Sequence, residues 1–416
     1  MNRIRREDSI LVQLCAEPPA PSPDLAGLDW GYLLRVSGAN RLDGLLFNAL
    51  DRLQLLDAVP SGARTSWENR YRKIVETTSL YLGIAADLAE RFRARGLHMI
   101  VLRGPALGLT AYEKPYLRPF HDLDLLIPRK EIASAKEALS RAGFAPEPGL
   151  LPDVYFEKHH LHLRRTREDS GAVVELHWAL DHPYTLDLVD YPALFRRALL
   201  SPPGDVRLPV LDPIDSLVTL CLHFRKHCLL LPAMMREEDF ISLLLREGVL
   251  LWLADIQRAR RKMDEASLRE AGRRAGEWNL REQFDSCLQA ADPAFQGGRP
   301  PRGGETIGMG LLSRIVARRR IAFLRGEGGR GRLERFLFGL RPDSIFRPVR
   351  ALELARFVFP PPEYLRRRYG RNGRGGTRIR HAARAVGRLA ENLTDYLCFR
   401  SRGKTRTSSK TRNHED

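Results

Sequence analysis

Residues 120–128, FHDLDLLIP, place two carboxylates at alternate positions of a short apolar run. Alternate side chains of an extended strand share one face, so Asp122 and Asp124 point together, away from the leucines that follow them. Because taking an unpaired charge out of water costs several kcal/mol, a buried strand of this kind needs a cation beside it. The pattern therefore predicts a strand whose acids are neutralised either by an arginine such as Arg118 or by a metal ion.

Two more short apolar runs flank this strand along the sequence. LHMIVL ends at Arg103 and Gly104 before a helical pattern, and AVVELHWAL carries Glu175 near its middle. We expect Glu175 to complete a group of three acids if its strand pairs beside residues 120–128. Hard divalent cations prefer oxygen ligands, so the sequence predicts a site for Mg²⁺ (or Mn²⁺).

The junction after LHMIVL suits an anion. Gly104 lets a ligand approach the backbone, the N-terminus of the following helix favours negative charge, and Arg103 adds a permanent positive charge. Three carboxylates facing such a turn are typical of phosphoryl or nucleotidyl transfer. Taken singly, the Asp-x-Asp pattern is also typical of a salt-bridged surface strand and the glycine of an ordinary turn. The prediction therefore depends on the order of these segments along the chain.

The segments HMIVLRGPAL, YLRPFHDLDLLI and VVELHW resemble the motifs of the bacterial uncharacterised nucleotidyltransferase family, a branch of the polymerase-beta-like nucleotidyltransferase superfamily. Looser similarity extends over most of residues 30–370. Members usually read Leu-Lys-Gly in the first motif, Arg-Pro-x-x-Asp-x-Asp in the second and Val-Glu-x-His-Trp in the third. Here Arg103 replaces the lysine, which keeps the charge but changes the contact geometry. Pro105 removes one backbone donor at the start of the helix.

The resemblance implies an α+β fold, with a small mixed β-sheet core between N-terminal helices and a C-terminal helical region. It also implies an enzyme that moves a nucleoside monophosphate from an NTP to an unknown hydroxyl or phosphate acceptor (a small molecule, peptide or protein) and releases pyrophosphate. The implied catalytic and metal-binding residues are Asp122, Asp124 and Glu175. The implied phosphate-binding residues are Arg103, Gly104 and Arg118.

Two residues of these motifs have two interpretations each. Arg118 fits either a clamp on the triphosphate or an ion pair with Asp122. His177 shares a face with Glu175 by alternation. It fits either an accessory residue that orients metal-bound water or substrate, or a histidine hydrogen-bonded to a neighbouring carboxylate.

Four candidates lie outside these motifs. His159, His160 and His162 suggest part of a zinc site. Only His160 and His162 share a face, and no third ligand is evident, so we favour cross-strand packing. Asp255, in the apolar segment LLWLADIQ, is interpreted as a hydrogen-bonded residue in helix packing.

The spacing of apolar residues predicts helices at both ends of an α/β unit in which EKHHLHLRRT and AVVELHWAL form a hairpin. The predicted regions are an N-terminal helical region (1–95), a nucleotidyltransferase α/β core (96–212), a helical bundle (213–292), a basic, partly helical region (293–400) and a disordered tail (401–416).

Charge and cysteine content bear on partner and compartment. A net charge of +17 suggests an anionic partner, but an arginine-rich composition alone can produce it, so nucleic acid is not favoured. Five widely spaced cysteines without a CxxC pair favour a reducing cytoplasm. No apolar run reaches the ~18 residues of a membrane span.

Two other functions stay open. One is a non-catalytic nucleotide sensor in a biosynthetic assembly, suggested by the altered 103–105 turn. The other is a basic nucleic-acid-binding protein.

Overall fold

A seven-stranded mixed sheet lies between helices that precede and follow it in the sequence, which confirms the α+β class. The computed structural model describes residues 5–17, 22–148, 151–183, 185, 188–228, 231–296, 318, 321–322, 357–360, 362–369 and 376–408. The strands are β1 (Ile100–Val101), β2 (Leu123–Leu126), β3 (Phe144–Pro146), β4 (His162–Arg167), β5 (Ala172–His177), β6 (Leu199–Leu200) and β7 (Pro209–Val210).

The described α-helices before the last strand are α1 (Arg6–Cys15), α2 (Trp30–Ala39), α3 (Asp43–Arg52), α4 (Ser61–Ala94), α5 (Arg103–Thr110), α6 (Ile132–Arg141), α7 (Asp153–His159) and α8 (Tyr191–Arg197). Those after it are α9 (Pro213–His227), α10 (Leu231–Met234), α11 (Phe240–Glu247), α12 (Leu250–Arg261), α13 (Glu265–Glu277), α14 (Arg281–Gln296), α15 (Pro362–Tyr369) and α16 (Gly376–Ser408).

Local sequence signals explain where several helices begin and end. The Asp212 carboxylate accepts hydrogen bonds from the backbone N–H groups of Ile214 and Asp215 at 2.9 and 3.2 Å, and a proline fills the first position of α9. After α11, Gly248 has a φ of 74° and closes the helix in the left-handed conformation that glycine adopts most easily.

The strand order is β3-β4-β5-β2-β1-β7-β6, so the acidic strand β2 lies in the interior of the sheet. It runs antiparallel to β1 and parallel to β5, and Asp124 is in register with Glu175. Residues in register on neighbouring strands point to the same face. The expectation that the strand of Glu175 pairs beside residues 120–128 is therefore confirmed.

The two faces of the sheet pack against different helices. On one face, Leu123 and Leu125 belong to a core with Leu88 and Phe92 of α4 and with Leu139 of α6.

On the other face, which carries the acids, Leu126 belongs to a second core. That core joins helices α1–α3 to helices α9 and α11–α14, so helices from before and after the sheet cover the acidic face together. The site is therefore enclosed by segments distant in sequence.

The predicted hairpin is present, with β4 antiparallel to β5, but its first strand was placed wrongly. Residues 157–159, predicted as strand, are the last turn of α7, and β4 begins at His162. Pro152 and Asp153 provide the reason. A proline and an acid at a helix start favour helix locally, and the Asp153 carboxylate is held by Lys136 at 3.1 Å.

Most of the Gly/Arg/Pro-rich segments that the sequence places after residue 296 lie outside the described residues. Helix α16 runs to Ser408, into the segment from 401 for which the sequence predicts disorder. This segment contains no proline that would end the helix. None of the described helices is both long enough and apolar enough to span a bilayer.

Candidate active site on the acidic face of the sheet

The centre of the site is a histidine shared by two carboxylates. His177 Nε2 lies 2.9 Å from Asp124 Oδ1 and 3.3 Å from Glu175 Oε2. Because a carboxylate accepts hydrogen bonds, this nitrogen carries the proton. The structure thus brings Asp124 and Glu175 together, and His177 links them.

Tyr81 of α4 fixes the ends of the two strands that carry these groups. Its hydroxyl donates to the backbone oxygen of His121 at 2.6 Å and accepts from the backbone N–H of Val173 at 3.0 Å. These bonds position the residue that precedes Asp122 relative to the start of β5.

Arg103 reaches the Asp124 carboxylate from the first position of α5, just after β1. Its Nη2 lies 2.8 Å from Asp124 Oδ2, and its Nη1 donates to Nδ1 of His223 at 2.5 Å. The backbone of Arg103 has a φ of 46°, a conformation that a residue with a side chain rarely adopts and that is often found at functional sites.

Gly104, the second residue of α5, packs against the side chain of Phe120. A β-carbon at this position would lie 3.0 Å from Cγ and 3.1 Å from Cβ of Phe120. An added β-carbon would therefore crowd Phe120, so packing favours glycine at this position.

Asp122 lies just before β2 and is partly buried. Burial and the charges of Asp124 and Glu175 raise the pKa of the Asp122 carboxyl to about 6, although the positive charges of Arg103 and Arg118 oppose this shift. The raised pKa thus reflects first the burial of the Asp122 carboxyl and then the two carboxylates close to it.

The other two acids are held ionised. Burial would raise the pKa of Asp124, but the charge of Arg103 and the hydrogen bond from His177 leave it below its ordinary value. For Glu175 burial is likewise outweighed, chiefly by His177, and its pKa falls to about 2. Burial lowers the pKa of His177, yet its bonds to Asp124 and Glu175 leave that pKa raised.

Arg118 forms a closed ion pair away from the acids. Its Nη2 lies 2.9 Å from Asp255 Oδ2, and Tyr112 Oη donates to Asp255 Oδ1 at 2.6 Å. The Arg118 side chain is 5% exposed and that of Asp255 is 0% exposed. The structure thus pairs Arg118 with Asp255 instead of Asp122. The interpretation of Asp255 as a hydrogen-bonded packing residue is confirmed, while phosphate binding by Arg118 stays a prediction.

The histidines of β4 are closer to the site than the sequence indicated. His162 lies opposite His177 across the β4–β5 pair, and its Nε2 is 3.6 Å from Glu175 Oε2. Burial holds the pKa of His162 well below its usual value and lowers that of His160 to about 4. His159 instead ends α7. Alternation along β4 and β5 was the signal that could have placed His162 beside Glu175.

Sequence reasoning missed three other residues, which come from α9, from α12 and from the turn between α2 and α3. Trp252 of α12 has the guanidinium carbon of Arg41 4.5 Å from its ring centroid, and the ring of His223 lies 5.5 Å away. Burial and the charge of Arg118 lower the pKa of Arg41, whereas the Asp255 and Asp122 carboxylates oppose them. Only the tertiary fold brings these side chains toward the acids.

The donor set fits a hard divalent cation. Asp122, Asp124 and Glu175 offer carboxylate oxygens, and the raised pKa of Asp122 indicates negative charge that a cation would relieve. Among the described residues, a second group also has suitable spacing: the donor atoms of His162, Glu175 and His177 lie within 4.8 Å of one another. Glu175 belongs to both groups.

A family model described as uncharacterised nucleotidyltransferase matches residues 26–296, which include the whole sheet and helices α2–α14. No curated protein matches the chain.

Proposed function

The chain belongs to the uncharacterised nucleotidyltransferase family, and from this premise we propose that it is a metal-dependent enzyme. The proposed reaction moves a nucleoside monophosphate from an NTP to a hydroxyl or phosphate acceptor. The observation that carries the proposal is the register of β2 and β5, which puts Asp124 beside Glu175 on one face.

Asp122, Asp124 and Glu175 would hold the divalent ion, Mg²⁺ in the first instance. When bound, the ion would neutralise the triphosphate and make the acceptor hydroxyl more acidic. The acceptor oxygen forms a bond to the α-phosphorus, and the bond from that phosphorus to the pyrophosphate oxygen breaks. The hydroxyl proton passes to a carboxylate of the site, and pyrophosphate leaves.

The other residues position these groups. Arg103 would exchange its bond with Asp124 for one to a phosphate oxygen, which suits a guanidinium because it binds phosphate through two parallel donors. His177, held between Asp124 and Glu175, would keep both carboxylates oriented. Gly104 carries no side chain at the second position of α5, so a phosphate could approach the backbone there.

A second candidate is a protein that binds the nucleotide without transferring it. One observation favours it: both oxygens of Asp124 are engaged, by Arg103 at 2.8 Å and by His177 at 2.9 Å. If these bonds persist with nucleotide bound, Asp124 cannot act as a full metal ligand. Such a protein would bind Mg–NTP but release no pyrophosphate.

The test is to incubate the full chain with each NTP, Mg²⁺ and a bacterial metabolite extract, and to follow labelled nucleotide into product. The enzyme hypothesis expects pyrophosphate and a labelled product from the wild type, and neither from Asp124→Asn. Mg²⁺-dependent binding without pyrophosphate would favour the second candidate. Absence of both binding and turnover would refute the two proposals together.

A further inference from the structure

Arg41 has an unusual, left-handed backbone conformation. It has a φ of 56° in the turn between α2 and α3, although it is not a glycine. Non-glycine residues in this region are strained and cluster at ligand-binding sites. Its guanidinium carbon lies 4.5 Å from the ring centroid of Trp252, so the side chain is held by an aromatic ring in a fixed place.

Arg41 forms no ion pair in the part of the chain that the structure describes, and the Asp255 and Asp122 carboxylates act on its charge only from a longer distance. Two other arginines whose charges act on the acids differ in this respect, since Arg103 pairs with Asp124 and Arg118 pairs with Asp255. A partly buried cation without a counter-ion is unfavourable unless a ligand supplies the negative charge. Arg41 is therefore available to an anion, whereas Arg118 is already neutralised.

A short series of contacts connects Arg41 with the carboxylates. The Trp252 ring that holds Arg41 lies 5.5 Å from the ring of His223. His223 accepts from Arg103 at 2.5 Å, and Arg103 lies 2.8 Å from Asp124. An extended anion that is bound beside Asp124 and follows these contacts would reach Arg41. Arg41 lies at the edge of the site that the helices form.

We propose that Arg41 binds the polyphosphate of the nucleotide, the contact that the motif resemblance implies for Arg118. The inference rests on the proposed function, which makes an NTP the natural ligand. It concerns only the phosphate chain of that ligand, which is bound by a residue from the turn before α3. It assigns no contact to the nucleobase or to the acceptor.

The test measures binding of tripolyphosphate to the full chain by titration calorimetry, with Arg41→Gln as the main variant. Losing a charge-assisted contact should raise the Kd about ten-fold or more. The matched control is Arg35→Gln, because Arg35 is an exposed arginine of α2 that also lies over an aromatic ring, that of Tyr32, at 6.0 Å. The control should change the Kd less than about two-fold, since an exposed charge is screened by salt.

A second variant separates binding from folding. Arg41→Gly removes the side chain and relieves the strained φ, so it should fold even if Arg41→Gln does not. It should lose tripolyphosphate to the same extent as Arg41→Gln, and Arg41→Lys should retain part of the affinity.

The inference is overturned if the wild type does not bind tripolyphosphate, or if the Arg41 variants bind it as tightly as the Arg35 control. Failure of the proposed function looks different. In that case no NTP yields pyrophosphate with the wild type, while the ten-fold difference in tripolyphosphate binding remains.

Discussion

Replacing Asp255 with alanine should destabilise the protein by about 3–5 kcal/mol, because the change leaves Arg118 as a buried charge without its anion. The two side chains are 0% and 5% exposed, and their closest atoms are 2.9 Å apart. The Tyr112 hydroxyl, 2.6 Å from the same carboxylate, also loses its acceptor. Both losses act in the same direction, so the upper half of this range is expected.

The assay is urea unfolding of the full chain, followed by tryptophan fluorescence. The matched control is Asp285→Ala, whose carboxylate pairs with Arg281 at 2.7 Å while the two side chains are 41% and 59% exposed. An exposed pair contributes at most about 1 kcal/mol, so the control should unfold almost as the wild type does. A difference of several kcal/mol between the two variants is therefore expected from burial alone.

A double variant isolates the charge from the packing. Arg118→Met with Asp255→Leu removes both ions and fills a similar volume, so it should recover most of the stability lost in Asp255→Ala. If Asp255→Ala loses no more than the surface control, the pair is not desolvated and the reasoning is refuted.

Three further predictions concern the site and its surroundings. His177→Gln should weaken Mg²⁺ binding by about 10–100-fold in titration calorimetry, because His177 orients two proposed ligands; unchanged affinity would exclude that role. Gly104→Ala should cost about 1–3 kcal/mol in urea unfolding, since the added β-carbon meets Phe120 at 3.0 Å; wild-type stability would show that the ring moves aside. Burial would raise the pKa of Asp181, but the ion pair with Arg225 holds it below 3.8. This stabilisation is present above about pH 4 and is lost as the pH falls through the folded-state pKa. Asp181→Asn should therefore flatten the acid limb of the curve of stability against pH. An acid limb identical to that of the wild type would contradict the ion pair.

The arrangement of the acids was accessible to sequence reasoning because it depends on local periodicity. A period of two puts Asp122 with Asp124, and the same rule puts Glu175 with His177. Adjacent pairing of their strands then brings the two pairs together, as the register of Asp124 with Glu175 shows. The same local rules failed at residues 157–159, where a helix start at Pro152 outweighs an alternating pattern.

Contacts between distant segments could not be read from the sequence. Arg118 and Asp255 are 137 positions apart, and Arg103 and His223 are 120 apart. In each pair, the sequence around one residue contains no signal that identifies the other, because both lie in apolar segments with a few charges. The side of the site formed by α9, α12 and the turn at Arg41 therefore required the tertiary structure.

The core shared by helices from both sides of the sheet has a consequence for synthesis on the ribosome. Ser242 Oγ donates to Asp8 Oδ2 across 234 positions, and Asn40 Nδ2 donates to the Leu245 carbonyl across 205. At roughly 5–20 residues per second, α1–α3 wait on the order of 10–40 s before these partners are translated. During that interval the surfaces of the nascent helices that later form this core lack their partners, and a chaperone that binds them would act before the acidic face is covered.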